Sequence, residues 1–136
     1  MIRTPICDLL GIEHPIVLGG MGGGHTQSSM VAAVSNAGGL GTLGCHGRGG
    51  DQIGEDAAAI RGITNQPFAL NFLLFLTEEE KFAAALETRP AVMSFAWPDG
   101  DQDIAPYIER SHDAGCKVTY MAGSVAEALR GVRAGA

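Results

Sequence analysis

The chain of 136 residues has few cysteines and little positive charge. Its three cysteines, Cys7, Cys45 and Cys116, lie far apart and form no Cys-x-x-Cys pair. A disulfide framework is therefore not expected, and a reducing compartment, the cytoplasm, is predicted. Nine Lys and Arg against fifteen Asp and Glu leave a net charge of −6. With no basic stripe on any segment, this balance argues against a nucleic-acid partner or an anionic membrane surface.

Long apolar runs and a leader pattern are also lacking. The longest apolar run, residues 72–76, is much too short to span a bilayer. The first residues combine Arg3, Pro5 and Asp8 without the apolar centre of a signal peptide. Aromatic residues make up only 6%, but 46% of the residues are hydrophobic and 20 are glycine, which indicates a packed α/β protein rather than a disordered one. The length predicts a single domain.

Strand-like and helix-like segments alternate along the chain. Five apolar runs predict the strands of a parallel sheet buried on both faces: residues 16–20, 40–44, 68–72, 92–96 and 118–122. Helices are predicted between these runs and after the last one, beginning near Ser28, Asp51, Thr77, Asp103 and Ser124. This alternation predicts an α/β fold.

Local signals mark where the helices begin and end. Thr77 with Glu80 and Ser124 with Glu127 have the spacing of capping boxes. An apolar stripe on the last helix is expected to face the core and consists of Val125, Leu129 and Val132. Glycine C-caps are predicted at Gly38, Gly115 and Gly135. Because no strand follows Gly135, the chain is expected to be a truncated part of a longer parent.

The strongest functional signal is the glycine-rich loop at residues 19–24, between the first predicted strand and a helix. Parallel sheets place ligand sites at this point, and backbone N–H groups there favour a flat or anionic ligand. The alternative is a flexible surface loop. Asn71, inside an apolar run, is expected either to hold a ligand's polar edge or to tie neighbouring strands. Trp97 and Met121 would wall an apolar pocket or simply pack.

Two other motifs are weaker. His25, Cys45 and His46 follow strand ends, but they have no carboxylate partner and no characteristic spacing, so no metal site is predicted. Glycines 39, 41 and 44 match the G-x-G-x-x-G pattern but coincide with a strand instead of opening a helix, which excludes a dinucleotide fingerprint. His46 and Arg48 either reach a substrate or phosphate or belong to a solvated loop.

Several segments, taken in order, resemble the nitronate monooxygenase family, formerly called 2-nitropropane dioxygenases. These are residues 10–17, Gly20-Met21-Gly22-Gly23, residues 31–44, residues 68–71 and residues 115–118. The resemblance implies an FMN-containing barrel of the (β/α)8 TIM type. Residues 1–136 would then form its N-terminal part, with about the first five βα units.

The resemblance also implies where the cofactor lies. FMN would contact the loop backbone at Gly20, Met21, Gly22 and Gly23 and the side chain of Asn71. Possible further pocket residues are His25, Trp97 and Met121. Family members usually have Ala-Pro-Met where this chain has Gly19-Gly20-Met21, so the rigidity of a proline is lost. The family's catalytic histidine follows the sixth strand and has no counterpart here, so no catalytic residue is assigned, and His25 does not replace it.

The implied function of the parent is FMN-dependent oxidation of a small alkyl nitronate with O2 as electron acceptor. Little or no catalysis is expected of the 136-residue chain itself. One alternative is an FMN-dependent enoyl-acyl-carrier-protein reductase that uses NAD(P)H. Another is a non-catalytic part-barrel that self-associates into a homo-oligomer through exposed strand edges. An NAD(P)H oxidation assay and size-exclusion chromatography separate these alternatives.

Overall fold

A computed structural model describes residues 2–136. The helices are α1 (Pro5–Leu10), α2 (Ser28–Asn36), α3 (Gly50–Ile63), α4 (Glu79–Glu87), α5 (Ala105–Asp113) and α6 (Val125–Arg133). The strands are β1 (Gly41–Gly44), β2 (Phe68–Leu73), β3 (Val92–Ala96) and β4 (Lys117–Met121). A short 3-10 helix at Leu74–Leu76 follows β2. None of the helices in residues 2–136 is both long and apolar enough to cross a membrane.

The four strands form one parallel sheet in the order β1-β2-β3-β4. A helix connects each strand to the next, and the side chains of these helices pack in a single core against one face of the sheet. Parallel neighbours that follow chain order, with all connecting helices on one side, are the arrangement of a TIM-type barrel wall. The predicted α/β fold with a parallel sheet is confirmed.

The two faces of the sheet are covered differently. On the helix side, a cluster of aromatic rings fills the core: Phe72, Phe82, Phe95 and Tyr107, with centroids 5.2–6.1 Å apart. On the opposite face, α1 closes the end of the sheet where the strands begin. Its residues Cys7 and Leu10 pack there with Leu40, Ala69 and Val92. The end of this face where the strands finish is left open, and it forms a cleft.

The first predicted strand, residues 16–20, is not a strand. Only Val17 forms a β-bridge, to Leu40. Two backbone hydrogen bonds of 2.9 Å hold the segment beside Leu40: the Leu18 N–H donates to the Leu40 carbonyl, and the Leu40 N–H donates to the Ile16 carbonyl. Pro15 lacks an N–H donor, Gly19 and Gly20 follow at once, and β1 is the one strand beside the segment in residues 2–136. The segment therefore lies next to β1 without extending the sheet.

The last strand and helix are more exposed than predicted. Strand β4 has partners on one side only in residues 2–136, and its first and last residues are exposed. The α6 stripe faces outward as well: Val125 is 78% exposed and Val132 is 67% exposed. The expected burial of this strand and this stripe was therefore wrong, because no described element packs on that side.

The capping predictions had opposite outcomes. At α6, the Ser124 hydroxyl accepts a hydrogen bond from the Glu127 N–H at 3.2 Å, and Glu127 Oε2 accepts from the Gly123 N–H at 2.6 Å. The serine half of that box is confirmed, whereas the glutamate accepts from the residue before the N-cap instead of from the N-cap itself. At α4, Thr77 instead donates to the Leu73 carbonyl at 2.9 Å, and the helix begins two residues later. The preceding 3-10 helix uses the Thr77 hydroxyl, so the second box was wrong.

Candidate functional site

A cleft of about 340 Å³ lies on the face opposite the helices, where the strands end. Its walls come from the segment before β1 and from all four strands. The lining residues include Leu18, Gly19, Gly20, Leu40, Thr42, Asn71, Ser94, Trp97, Thr119 and Met121. Carboxyl ends of parallel strands are where α/β folds bind ligands, and the open end of this face is therefore the candidate site.

Each strand contributes one small polar residue to the cleft. The register places Asn71 beside Ser94 and Ser94 beside Thr119. Thr42 on β1 pairs with Ala69, two residues before Asn71, and faces the same side of the sheet. Asn71 Nδ2 donates to the carbonyl and to the hydroxyl of Ser94, both at 3.2 Å. The Thr42 hydroxyl is buried and has no hydrogen-bond partner within residues 2–136. An unpaired buried hydroxyl is unfavourable unless a ligand or a water molecule pairs with it.

Sequence reasoning found Asn71 but missed the other three members of this polar row. The available signal was one Ser, Thr or Asn in each of the last four apolar runs, one to three residues after the run begins. Such a residue points to one face of a strand because side chains alternate. Only the register shows that the four occupy one surface.

Gly20 and Asn71 meet at a contact that only glycine permits. A Cβ atom at position 20 would lie 2.5 Å from Asn71 Cβ and 2.7 Å from Asn71 Oδ1. Both hydrogen bonds that the structure gives this amide are donated through Nδ2, so Oδ1 remains an acceptor beside the Gly20 backbone. The amide thus ties β2 to β3, as one prediction had it, and also presents an acceptor at the cleft.

Apolar side chains form the rim of the cleft. Trp97 follows β3 with a φ of +51°, in the left-handed region that bulky residues rarely adopt. Its carbonyl accepts a hydrogen bond from the Phe75 N–H at 3.1 Å, and its side chain is 58% exposed. Met121, at the end of β4, is also exposed. Such backbone strain is typical of ligand sites, and here it accompanies an indole at the rim instead of in the core.

The rest of the glycine loop lies beside the end of β1, outside the lining of the cleft. The Gly23 N–H donates to the His46 carbonyl at 2.9 Å. A Cβ atom on Gly44 would lie 2.5 Å from the Met21 carbonyl group, so the loop backbone rests directly on β1. Of the predicted site residues, Gly20, Asn71, Trp97 and Met121 share the cleft. Met21, Gly22, Gly23 and the exposed His25 lie beside it on the same loop.

Arg48 has neither of the two roles considered for it. Its side chain is only 4% exposed, and its guanidinium donates to Gly44 O at 2.5 Å, to Thr26 O at 2.8 Å and to Asp56 Oδ2 at 2.8 Å. It is therefore neither solvated nor available to a phosphate. The sequence did not predict this role. The partners Thr26 and Asp56 lie in separate segments that only the fold brings beside Arg48.

Cys45 is fully enclosed behind the glycine loop. Burial raises the pKa of its thiol to about 12. The thiol therefore stays protonated near neutral pH, which makes it a poor nucleophile and a poor metal ligand. Within residues 2–136, no group of three or more His, Cys, Asp and Glu side chains is arranged to hold a metal ion.

The chain matches the family model described as nitronate monooxygenase over residues 3–87. The chain belongs to the nitronate monooxygenase family. This confirms the resemblance seen in residues 10–44 and identifies the chain as a member of an oxidoreductase family.

Two curated relatives cover different shares of the chain. Over 130 residues it is 31% identical to the (3aS,4S,5R,7aS)-5-hydroxy-7a-methyl-1-oxo-octahydro-1H-indene-4-carboxyl-CoA dehydrogenase of Mycobacterium tuberculosis, a match to 95% of this chain and 35% of the relative. Over 73 residues it is 36% identical to a probable nitronate monooxygenase of Staphylococcus saprophyticus, which covers 54% of this chain and 20% of the relative. The chain thus spans about a third or less of the length of these relatives.

Two solved structures have the same fold over nearly the whole chain. FabK from Thermotoga maritima has a TM-score of 0.90 and 33% identity, over 100% of this chain and 42% of that one. The nitroalkane oxidase from Streptomyces ansochromogenes has a TM-score of 0.82 and 25% identity, over 98% of this chain and 46% of that one. The chain therefore corresponds to under half of each of these structures.

Proposed function

We propose that the cleft binds the ring system of FMN and that the parent protein oxidises alkyl nitronates with O2 as electron acceptor. The observation that carries the proposal is the contact between Gly20 and Asn71. The Gly20 backbone, which carries no Cβ atom, lies against the Asn71 amide, whose Oδ1 is free to accept a hydrogen bond. This contact lies at the carboxyl end of the parallel sheet. Membership of the nitronate monooxygenase family supports the reaction type.

The residues of the cleft fit a flat ring that has one polar edge and one apolar edge. Asn71 Oδ1 and the unpaired Thr42 hydroxyl offer polar partners on the sheet side. Trp97 and Met121 offer apolar surface on the rim. Small-molecule sites in general combine a few placed polar groups with apolar walls.

Each of these residues has a separate task in the proposed site. Gly20 lets the ligand approach the backbone, and Asn71 holds and orients the polar edge through an amide that Ser94 fixes in place. Trp97 and Met121 exclude water from the apolar side. The bound flavin would supply the redox chemistry, while the chain supplies orientation and a shielded environment.

We further propose that the 136-residue chain turns over little substrate by itself. Among the described residues that line the cleft, none is a histidine, and the side chains on its polar surface are amides and hydroxyls with no group that titrates near neutral pH. The proton-handling group would then come from outside these cleft-lining residues. Steady nitronate-dependent O2 uptake by the purified chain would contradict this part of the proposal.

A second candidate is reduction of an enoyl-acyl carrier protein with NAD(P)H. The observation that favours it is the match across 95% of the chain to an enzyme whose name describes a coenzyme A ester. An enoyl-acyl carrier protein is also a thioester of the same pantetheine type. NAD(P)H oxidation with an enoyl thioester, compared with O2 uptake with a nitronate, distinguishes the two reactions in the parent protein.

The test of the proposed site is a titration of the purified chain with FMN. Trp97 is the only tryptophan of the chain, so quenching of its fluorescence reports FMN at the rim of the cleft. We expect saturable quenching together with a shifted flavin absorption spectrum. Asn71→Ala should weaken binding about tenfold, since one amide acceptor and its orientation are lost.

The matched control is Asn65→Ala, an exposed asparagine before β2 at the opposite end of the strand. It should leave FMN binding unchanged. Absence of saturable quenching and of any spectral shift in a folded chain would refute the proposal. Equal weakening by both variants would also refute the placement of FMN at Asn71.

A further inference from the structure

We infer that Thr26, Arg48 and Asp56 form a clamp that holds the glycine loop in its ligand-binding shape. The inference rests on the proposed flavin binding at this loop. The clamp residues do not line the cleft. They are positioning residues that act through the backbone of Met21 and Gly44.

The first part of the clamp is the Thr26 hydroxyl, which is fully buried. It donates to the Met21 carbonyl at 3.0 Å and accepts from the Gly44 N–H at 2.8 Å. One hydroxyl therefore joins the start of the loop to the end of β1. Serine could make both bonds, whereas valine, of the same shape as threonine, could make neither.

The second part is the Arg48 guanidinium, which also binds Gly44 and, in addition, the backbone of Thr26 itself. It donates to the Thr26 carbonyl at 2.8 Å and to the Gly44 carbonyl at 2.5 Å. Both polar groups of the Gly44 peptide backbone, N–H and C=O, are thus held by clamp residues. The planar guanidinium can reach both carbonyls at once, which the point charge of a lysine cannot reproduce.

The third part is Asp56 on α3, which anchors the buried cation. Asp56 Oδ2 accepts from Arg48 Nε at 2.8 Å, and Asp56 Oδ1 accepts from the Ser28 hydroxyl at 2.7 Å. Ser28 is the first residue of α2, directly after the loop. A buried arginine needs such a partner, and this one fixes the clamp to two helices of the scaffold.

Apart from the clamp, the loop backbone is held by the Gly23–His46 hydrogen bond of 2.9 Å and by two longer hydrogen bonds within the loop, of 3.4 and 3.5 Å. Gly23 and Gly24 have φ values of +68° and +81°, and glycine is the residue that loses the most conformational freedom on ordering. The clamp imposes this order before a ligand arrives. Pre-ordering removes that entropic penalty from the binding step, so affinity at Gly20 should depend on residues that never touch the ligand.

The experiment compares four variants of the full chain: Thr26→Val, Thr26→Ser, Arg48→Met and Arg61→Met. Arg61 is the control for the loss of an arginine as such, because from an exposed position it also donates to two backbone carbonyls, those of Thr88 and Arg89, at the opposite end of the sheet. The measurements are FMN affinity, urea unfolding, and amide hydrogen exchange of residues 21–26 without FMN.

We expect Thr26→Val and Arg48→Met to weaken FMN binding about tenfold, because two or three hydrogen bonds that order the loop are lost. They should also speed exchange of the Gly23 amide about tenfold. Thr26→Ser should stay within about twofold of the unaltered chain in both measurements, since it keeps the hydroxyl. Arg61→Met should lower stability without affecting either.

Two results would overturn the clamp. One is unchanged loop exchange in Thr26→Val and Arg48→Met. The other is weakening of FMN binding by Arg61→Met as much as by Arg48→Met, which would show a general loss of stability. Because loop exchange is measured without flavin, it tests the clamp even if the unaltered chain binds no FMN. In that case the proposed function fails and the clamp is judged separately.

Discussion

Substitution of Gly20 by alanine tests the central contact of the candidate site. The added Cβ atom would lie 2.5 Å from Asn71 Cβ, whereas carbon atoms pack at about 3.5–4.0 Å, so the two segments must separate by about 1 Å. Asn71 cannot simply rotate away, because its amide is bonded twice to Ser94. Overpacking of this kind destabilises the folded protein by about 1–3 kcal/mol, and loss of one hydrogen bond of the Asn71 amide adds about 1 kcal/mol.

Gly19→Ala provides the matched control for this substitution. A Cβ atom on Gly19 would meet nothing within 4 Å, and neither glycine has a left-handed φ. The same chemical change should therefore alter stability by less than about 0.5 kcal/mol at position 19. Urea unfolding of both variants gives the two free-energy differences, and the FMN titration gives the effect on the cleft. Equal stability of the two variants, within the error of the fits, would show that the Gly20 contact does not exist in solution.

Three further predictions concern the scaffold. Burial raises the pKa of Cys45 from about 9 to about 12, so its contribution to stability is complete below pH 9 and is lost as the pH rises towards 12. Cys45→Ala should therefore reduce the fall in unfolding free energy between pH 8 and pH 10.5, and an unchanged fall would refute the assignment. Gly54→Ala in α3 has open space and should stabilise by about 0.5–1 kcal/mol. Gly131→Ala in α6 would place a Cβ atom 2.6 Å from the Tyr120 ring and should destabilise; a gain in stability at Gly131 by thermal unfolding would contradict this packing.

The sequence carried most of the information about the elements, since their signals are local. Apolar periodicity placed α2 to α6 and β1 to β4 within a few residues, and the left-handed glycines at 38, 115 and 135 were correctly predicted. Family membership was also readable in residues 10–44, and the match to residues 3–87 confirms it. Helix α1 was not predicted, because its six residues are too few for periodicity to show.

Sequence reasoning failed wherever the outcome depended on what lies alongside an element. The stripe on α6 has the spacing of a buried face, yet it is exposed because no described element covers it. The capping spacing at Thr77 was overridden by the neighbouring 3-10 helix. Residues 16–20 have a strand composition, but pairing on one side alone left a single bridge.

The sequence by itself therefore determined the order and type of α2 to α6 and β1 to β4, and the presence of a glycine loop followed by a polar residue in β2. The tertiary structure alone decided that Asn71, Ser94 and Thr119 form one row, because strand register is a non-local property. It also decided that Arg48 is a buried clamp and not a surface charge. Its partners Thr26 and Asp56 lie 22 and 8 residues away in sequence, and only the packing of the loop on β1 and α3 brings them within hydrogen-bond distance.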